Sequence, residues 1–208
     1  MAIKRYLADA DNTITNAFQE NLSVRGTGSN MGQADILETF SIYAQESATS
    51  TELSRIILKF PITQVISDRN AEVIPATGVS YYLKMFNARH PHTLPKNYKL
   101  DVLAVSSSWE EGNGLDMEGY SDLTYDDIGS SWVRSAGSTA WTTAGGDYHA
   151  SPFYAVSFDK GDEDLEVNVT TLVDEWIAGT KDNYGFGVHL SASYEASSST
   201  NPEGAKFS

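Results

Sequence analysis

"NVTTLVDEWIAGTKDNYGFGVHL", residues 168–190, changes its hydrophobic period partway along. Leu172 and Trp176, and Val173 and Ile177, stand four residues apart and make one apolar stripe, which predicts a short helix from about Thr171 to Ala178. Thr170 or Thr171 can cap it, with Asp174 three residues after Thr171 in a capping-box arrangement, and Gly179 is a natural stop. Tyr184, Phe186, Val188 and Leu190 then alternate on one face of a strand. Gly185 and Gly187 share the other face with His189, which leaves room for a ring to approach, and Trp176 is the expected ring.

Outward from this stretch, alternation dominates. In "TELSRIILKFPI" (51–62), Ile56, Leu58 and Phe60 fall on one face, and Leu53, Arg55, Ile57 and Lys59 on the other. Pro61 removes a ladder donor and ends the strand. Residues 79–88 place Val79, Tyr81, Leu83 and Met85 together, and residues 98–109 repeat the pattern. Further strands are predicted over 36–43, 153–158, 165–169 and 184–190. Residues 26–32, 67–78, 87–97 and 112–131 read as polar connections. Short strands between polar loops favour an antiparallel sandwich over a parallel sheet. The expected fold is therefore all-β, an antiparallel β-sandwich of jelly-roll type with one short helix.

The 208 residues fit one domain, and 40% hydrophobic content supports a buried core. With no cysteine, disulfides, thiolate nucleophiles and cysteine-based metal centres are excluded. A net charge of −14 repels nucleic acid and anionic membranes, so neither is an expected partner. Lys4-Arg5 is the longest basic run, and no segment approaches 18 consecutive apolar residues.

Candidate chemistry is sparse. Glu110, Glu111, Asp116, Glu118, Asp122, Asp126 and Asp127 crowd a Gly-containing segment that reads as a solvated loop; calcium is the one ion that it suggests, without EF-hand spacing. His90 and His92 could share a metal, but no third ligand is identifiable, and His149 and His189 stand apart. There is no G-x-S-x-G elbow, and "GTGSNMG" (26–32) lacks the Lys-Ser/Thr of a phosphate loop. No cofactor and no enzyme activity are expected; a hydrolase built on the acidic loop is the weakest alternative. Among Trp109, Trp132, Trp141 and Trp176, the helix residue Trp176 belongs to the core. Trp132 and Trp141 flank a Gly/Ser-rich loop, where they either stack on a glycan or pack beneath the loop.

Four phrases carry a family resemblance. "LSRIILKFPI" (53–62), "SWEEGNG" (108–114), "STAWTTAGGDY" (138–148) and the opening stretch occur in the order found in the DNRLRE-type β-sandwich family, related to carbohydrate-binding modules. The family's pattern continues with another strand after the 184–190 strand. This implies a sandwich over 33–208 that lacks its final strand, either because the sequence is a fragment or because a partner supplies the strand. "MAIKRYLADADNTITNAF" and "RGTGSNMG" resemble the openings of virion structural proteins of tailed phages of marine bacteria. That resemblance implies a non-enzymatic virion component attached through residues 1–32, in contact with other virion proteins and with further copies in a symmetric assembly. Its position could be tail, neck, fibre or capsid surface. The alternative is a glycan-binding adhesion module using Trp132 and Trp141.

Overall fold

A computed structural model describes residues 3–88, 95–115 and 129–195. Its strands are β1 (Ala10–Thr15), β2 (Ser41–Tyr43), β3 (Thr51–Lys59), β4 (Tyr82–Met85), β5 (Tyr98–Val105), β6 (Arg134–Ala136), β7 (Thr139–Ala140), β8 (Tyr148–Phe158), β9 (Leu165–Asn168) and β10 (Phe186–Leu190). Two helices, α1 (Ile62–Asn70) and α2 (Thr170–Ile177), stand among them.

All pairings are antiparallel. The main sheet runs β1-β3-β10-β5-β8, and β2 pairs with the start of β3. β4 pairs with β9, and β6 with β7. The result is an all-β sandwich with a thin second layer, and the strand order alone does not single out a jelly roll.

Because successive side chains on a strand point to opposite faces, the register sorts the main sheet into two surfaces. On one, Ile56 and Leu58 lie beside Val188 and Phe186, and these beside Val102 and Ala104. The β4–β9 ribbon adds Leu83 and Leu165 to this core, and α2 adds Leu172, Val173 and Trp176. The edge of the Trp176 ring meets the Phe186 ring at 4.9 Å and 70°. On the opposite surface, Ile14, Ile57 and Val105 pack beneath Trp132 and Trp141.

Several expectations change. Residues 1–32 were expected to precede the sandwich, yet β1 is part of the main sheet, with Ala10 opposite Lys59 and Thr15 opposite Ser54. Only Ile14 in β1 is a large apolar residue; Asn12, Thr13 and Thr15 are buried as well. Their polar groups are satisfied: Asn12 Nδ2 donates to the Ser130 carbonyl, the Glu38 amide donates to Thr13 Oγ1, and Thr15 Oγ1 donates to the Leu53 carbonyl. Such bonds remove the penalty that burial would otherwise impose.

The single expected helix has become two. Pro61 does end the strand's run, but the chain then turns into α1, which buries Val65 and Asp68. α1 lacks a continuous apolar stripe, so its signal in the sequence is weak.

α2 has no side-chain cap. Thr170 Oγ1 instead accepts the Tyr81 amide at 2.9 Å, which ties the helix start to the residue before β4. Its far end closes as a Schellman motif: Thr180 N donates to Glu175 O, Gly179 N donates to Trp176 O, and Gly179 has φ +68°.

β10 lies between β3 and β5, with partners on both sides. Both sides of β10 are thus filled, and among the described residues the ends of the main sheet are β1 and β8.

Candidate functional site

The four phrases that carry the resemblance meet one another in space. Arg55 Nη1 donates to the Gly145 carbonyl at 3.0 Å. Trp109 Nε1 donates to the Tyr184 carbonyl at 2.7 Å. A Cβ on Gly187 would lie 2.1 Å from the Tyr148 ring, so the ring that Gly187 admits is Tyr148 and not Trp176. Gly145, at φ +90°, leaves the space that the Trp132 ring fills. Asp147 accepts the amides of Thr142 and Thr143, each at 2.8 Å. Burial works against its charge, but these two amides hold its pKa below the usual carboxylate value. The phrases thus describe packing and turn geometry.

Arg55 is the hub of this region. Its Nε and Nη2 donate to the two carboxylate oxygens of Glu195 at 3.0 and 2.8 Å. Its guanidinium carbon is 5.3 Å from the Trp132 ring centre and 5.9 Å from that of Tyr148. Burial opposes the Arg55 charge, yet the Glu195 pair more than offsets this and raises its pKa. His189 is close by, with Nδ1 2.8 Å from the Leu190 carbonyl and 3.6 Å from Glu195 Oε1. A carbonyl only accepts, so Nδ1 carries the proton, and burial lowers the histidine's pKa. Burial also raises the Tyr148 pKa to about 12, which keeps the phenol neutral. The cluster is built of mutually satisfied partners.

Trp132 and Trp141 are 7% and 5% exposed. Trp141 Nε1 donates to the Ser131 carbonyl at 2.8 Å. These rings are core, and their faces are not open for stacking on a sugar. Trp176, expected in the core, is buried there.

In the acidic segment, Glu111 Oε1 accepts the Asp11 amide at 3.0 Å. Burial and then the Glu111 charge raise the pKa of Asp11. Asn30 is gripped alongside: its Nδ2 donates to the carbonyls of Glu111 and Ser130, and its Oδ1 accepts the Gly114 amide. A Cβ on Gly112 or Gly114 would strike Asn30, which accounts for the glycines of "SWEEGNG" and the Asn of "GTGSNMG". Asp116, Glu118, Asp122, Asp126 and Asp127 lie outside the described residues, as do His90 and His92. Among the described residues no three His, Asp or Glu side chains gather as a metal site, and no helix is long and apolar enough to cross a membrane.

The surface that stands out is the N-terminal arm, residues 3–8. It is neither helix nor turn and pairs with no strand among the described residues; the Asp9 amide, bonded to the Lys59 carbonyl at 2.9 Å, begins the sheet. Lys4 Nζ lies 2.6 Å from Asp68 Oδ2, and Tyr6 OH donates to the same oxygen at 2.7 Å. Lys4, with help from Tyr6, lowers the Asp68 pKa, and burial with the Asp68 hydrogen bond raises that of Tyr6. With Lys4 and Tyr6 turned to α1, the alternate residues Ile3 and Leu7 are each 83% exposed. The sequence marked this region as a basic run and, by resemblance, as part of the attachment segment 1–32; the outward display of Ile3 and Leu7 depends on Asp68, more than 60 residues away. No family model matches the chain, and no match was found among curated proteins or among solved structures.

Proposed function

We propose that this chain is a non-enzymatic structural protein of a phage particle, and that residues 3–8 attach it to its neighbours. The observation that carries this reading is the arm itself. Two large apolar side chains are held in water on a segment whose other face is anchored by an ion pair and a hydrogen bond to Asp68. Exposed apolar groups ordered in this way gain free energy when a partner covers them. The resemblance of the opening residues to virion structural proteins supports the same reading, as does the structural use of every resembling phrase. The partners are then other virion proteins, and the place of action is the virion.

The test is incorporation into particles. The double variant Ile3→Asp, Leu7→Asp changes only exposed side chains and is expected to melt with the parent protein. It should be lost from purified particles that retain the parent. Normal incorporation of the folded variant would remove the arm from the mechanism. Deleting residues 1–32 is a poor substitute, because it also removes β1.

A further inference from the structure

Among the described residues β8 forms one end of the main sheet and is bonded in a ladder only to β5. It spans 11 residues, and its two halves differ. In the first half, Lys181 Nζ takes the Ser151 carbonyl at 3.0 Å, and Pro152 has no N–H to offer. These are the devices by which an edge strand refuses a partner. Beyond Pro152 the register with β5 resumes at Phe153 opposite Leu103 and continues to Phe158 opposite Tyr98. Phe153 is 53% exposed, and Ala155 and Ser157 on the same face are exposed with it. Residues 153–158 therefore form an open, six-residue edge with an apolar residue at its start.

We infer that the arm of one copy, residues 3–8, adds as a strand to residues 153–158 of a second copy. Resting on the reading of the arm as an attachment segment, this names the partner as the same chain. The two segments match in length and in kind. Among the described residues one pairs with no strand, and the other lacks a neighbour on its outer side. Ile3 and Leu7 would be covered along with Phe153, which joins three exposed apolar side chains across one contact. With Lys4 paired to Asp68, Arg5 still brings a positive charge to a chain of net charge −14, which favours its approach to a second acidic copy. The Asp68 anchor holds the arm in place beforehand, which lowers the ordering cost of strand addition.

The arm cannot satisfy the edge of its own molecule. β1 and β8 are opposite ends of the sheet, four strand spacings or about 19 Å apart. The contact is therefore heterologous, leading from each copy to the next, and gives rings or open filaments.

Light scattering over a concentration series tests this with the full chain. The parent protein is expected to grow in mass with concentration. Ile3→Asp, Leu7→Asp should abolish this from one side, and Phe153→Lys, Ala155→Lys from the other. Mixing the two variants pairs the one intact edge with the one intact arm, so a one-to-one complex should form and grow no further. If the lysine variant fails to fold, a synthetic peptide of residues 3–8 replaces it and should lower the mass of the parent assemblies. A parent protein that stays monomeric to millimolar concentration, or an arm variant that still self-associates, overturns the inference. A monomeric parent whose arm variant is lost from particles overturns self-pairing and leaves the attachment reading standing. A self-associating parent whose arm variant enters particles normally supports self-pairing and removes the attachment reading.

Discussion

Ile56 and Arg55 are neighbours on β3 and meet different surroundings. Ile56 joins a cluster of aliphatic and aromatic side chains from β5, β10, the β4–β9 ribbon and α2. Arg55 meets the Glu195 carboxylate, the Gly145 carbonyl and two aromatic rings. One face of the sheet is held by apolar area removed from water, a term that needs little directional precision. The other adds to a smaller apolar cluster under Trp132 and Trp141 a set of polar partners that must be placed correctly, because an unpaired buried group costs more than its bond contributes. The first face can be repacked with other side chains of suitable size, and the second cannot lose a member without stranding another.

The largest expected effect is on the apolar face. Trp176→Ala removes the ring that packs on Phe186 and should cost about 3–5 kcal/mol, read as a fall in urea midpoint with little change in slope. A cost under 1 kcal/mol would mean that α2 contributes little to the core. The polar face should respond less, and non-additively. Arg55→Met leaves the Glu195 carboxylate short of its partner and should cost about 2 kcal/mol, the largely but not fully buried pair falling below the range for deeply buried ones. Adding Glu195→Met should restore much of that loss. Additive costs in this double-mutant cycle would show that the pair is not coupled and blur the contrast between the faces.

The smallest effect concerns the arm. Asp68 has its pKa lowered in the folded protein, so its anchoring of Lys4 and Tyr6 is fully present above its ordinary carboxylate pKa and fades as pH falls through the lower, folded value. The arm should stay docked at pH 5 and be released only in stronger acid, with no loss of the sheet. The Tyr6 ring resonances in NMR would report this. Release at pH 5 or above would mean that the anchor is something other than the Asp68 carboxylate.

The two faces also differed in how readable they were. β3, β10 and α2 were legible because Ile56, Leu58, Phe186, Val188, Leu172 and Trp176 are apolar at the spacing of their element, and period alone places them. β1 was not. Its buried Asn12 and Thr13 look like loop residues until Ser130 and Glu38 arrive as partners, and no local pattern announces partners that far along the chain. α1 was hidden for the same reason, since it buries an aspartate that Lys4 and Tyr6 satisfy. Gly187 was read correctly as a close approach, but the ring that makes it, Tyr148, is named by register and not by proximity in sequence. Of the candidate site, Lys4-Arg5 was visible as charge, and the exposure of Ile3 and Leu7 was not.

The place of β10 has a consequence for how the chain is made. Ribosomes deliver residues in order, at roughly 5–20 per second. β3 and β5 therefore leave the exit tunnel well before the strand that separates them, and for seconds the nascent chain holds two strands with an empty slot between. Until Phe186 through Leu190 arrive, the facing edges of β3 and β5 are both unpaired. A chain stalled or terminated before β10 would be sticky on both, so fidelity of synthesis through that strand bears directly on aggregation in the cell that makes it.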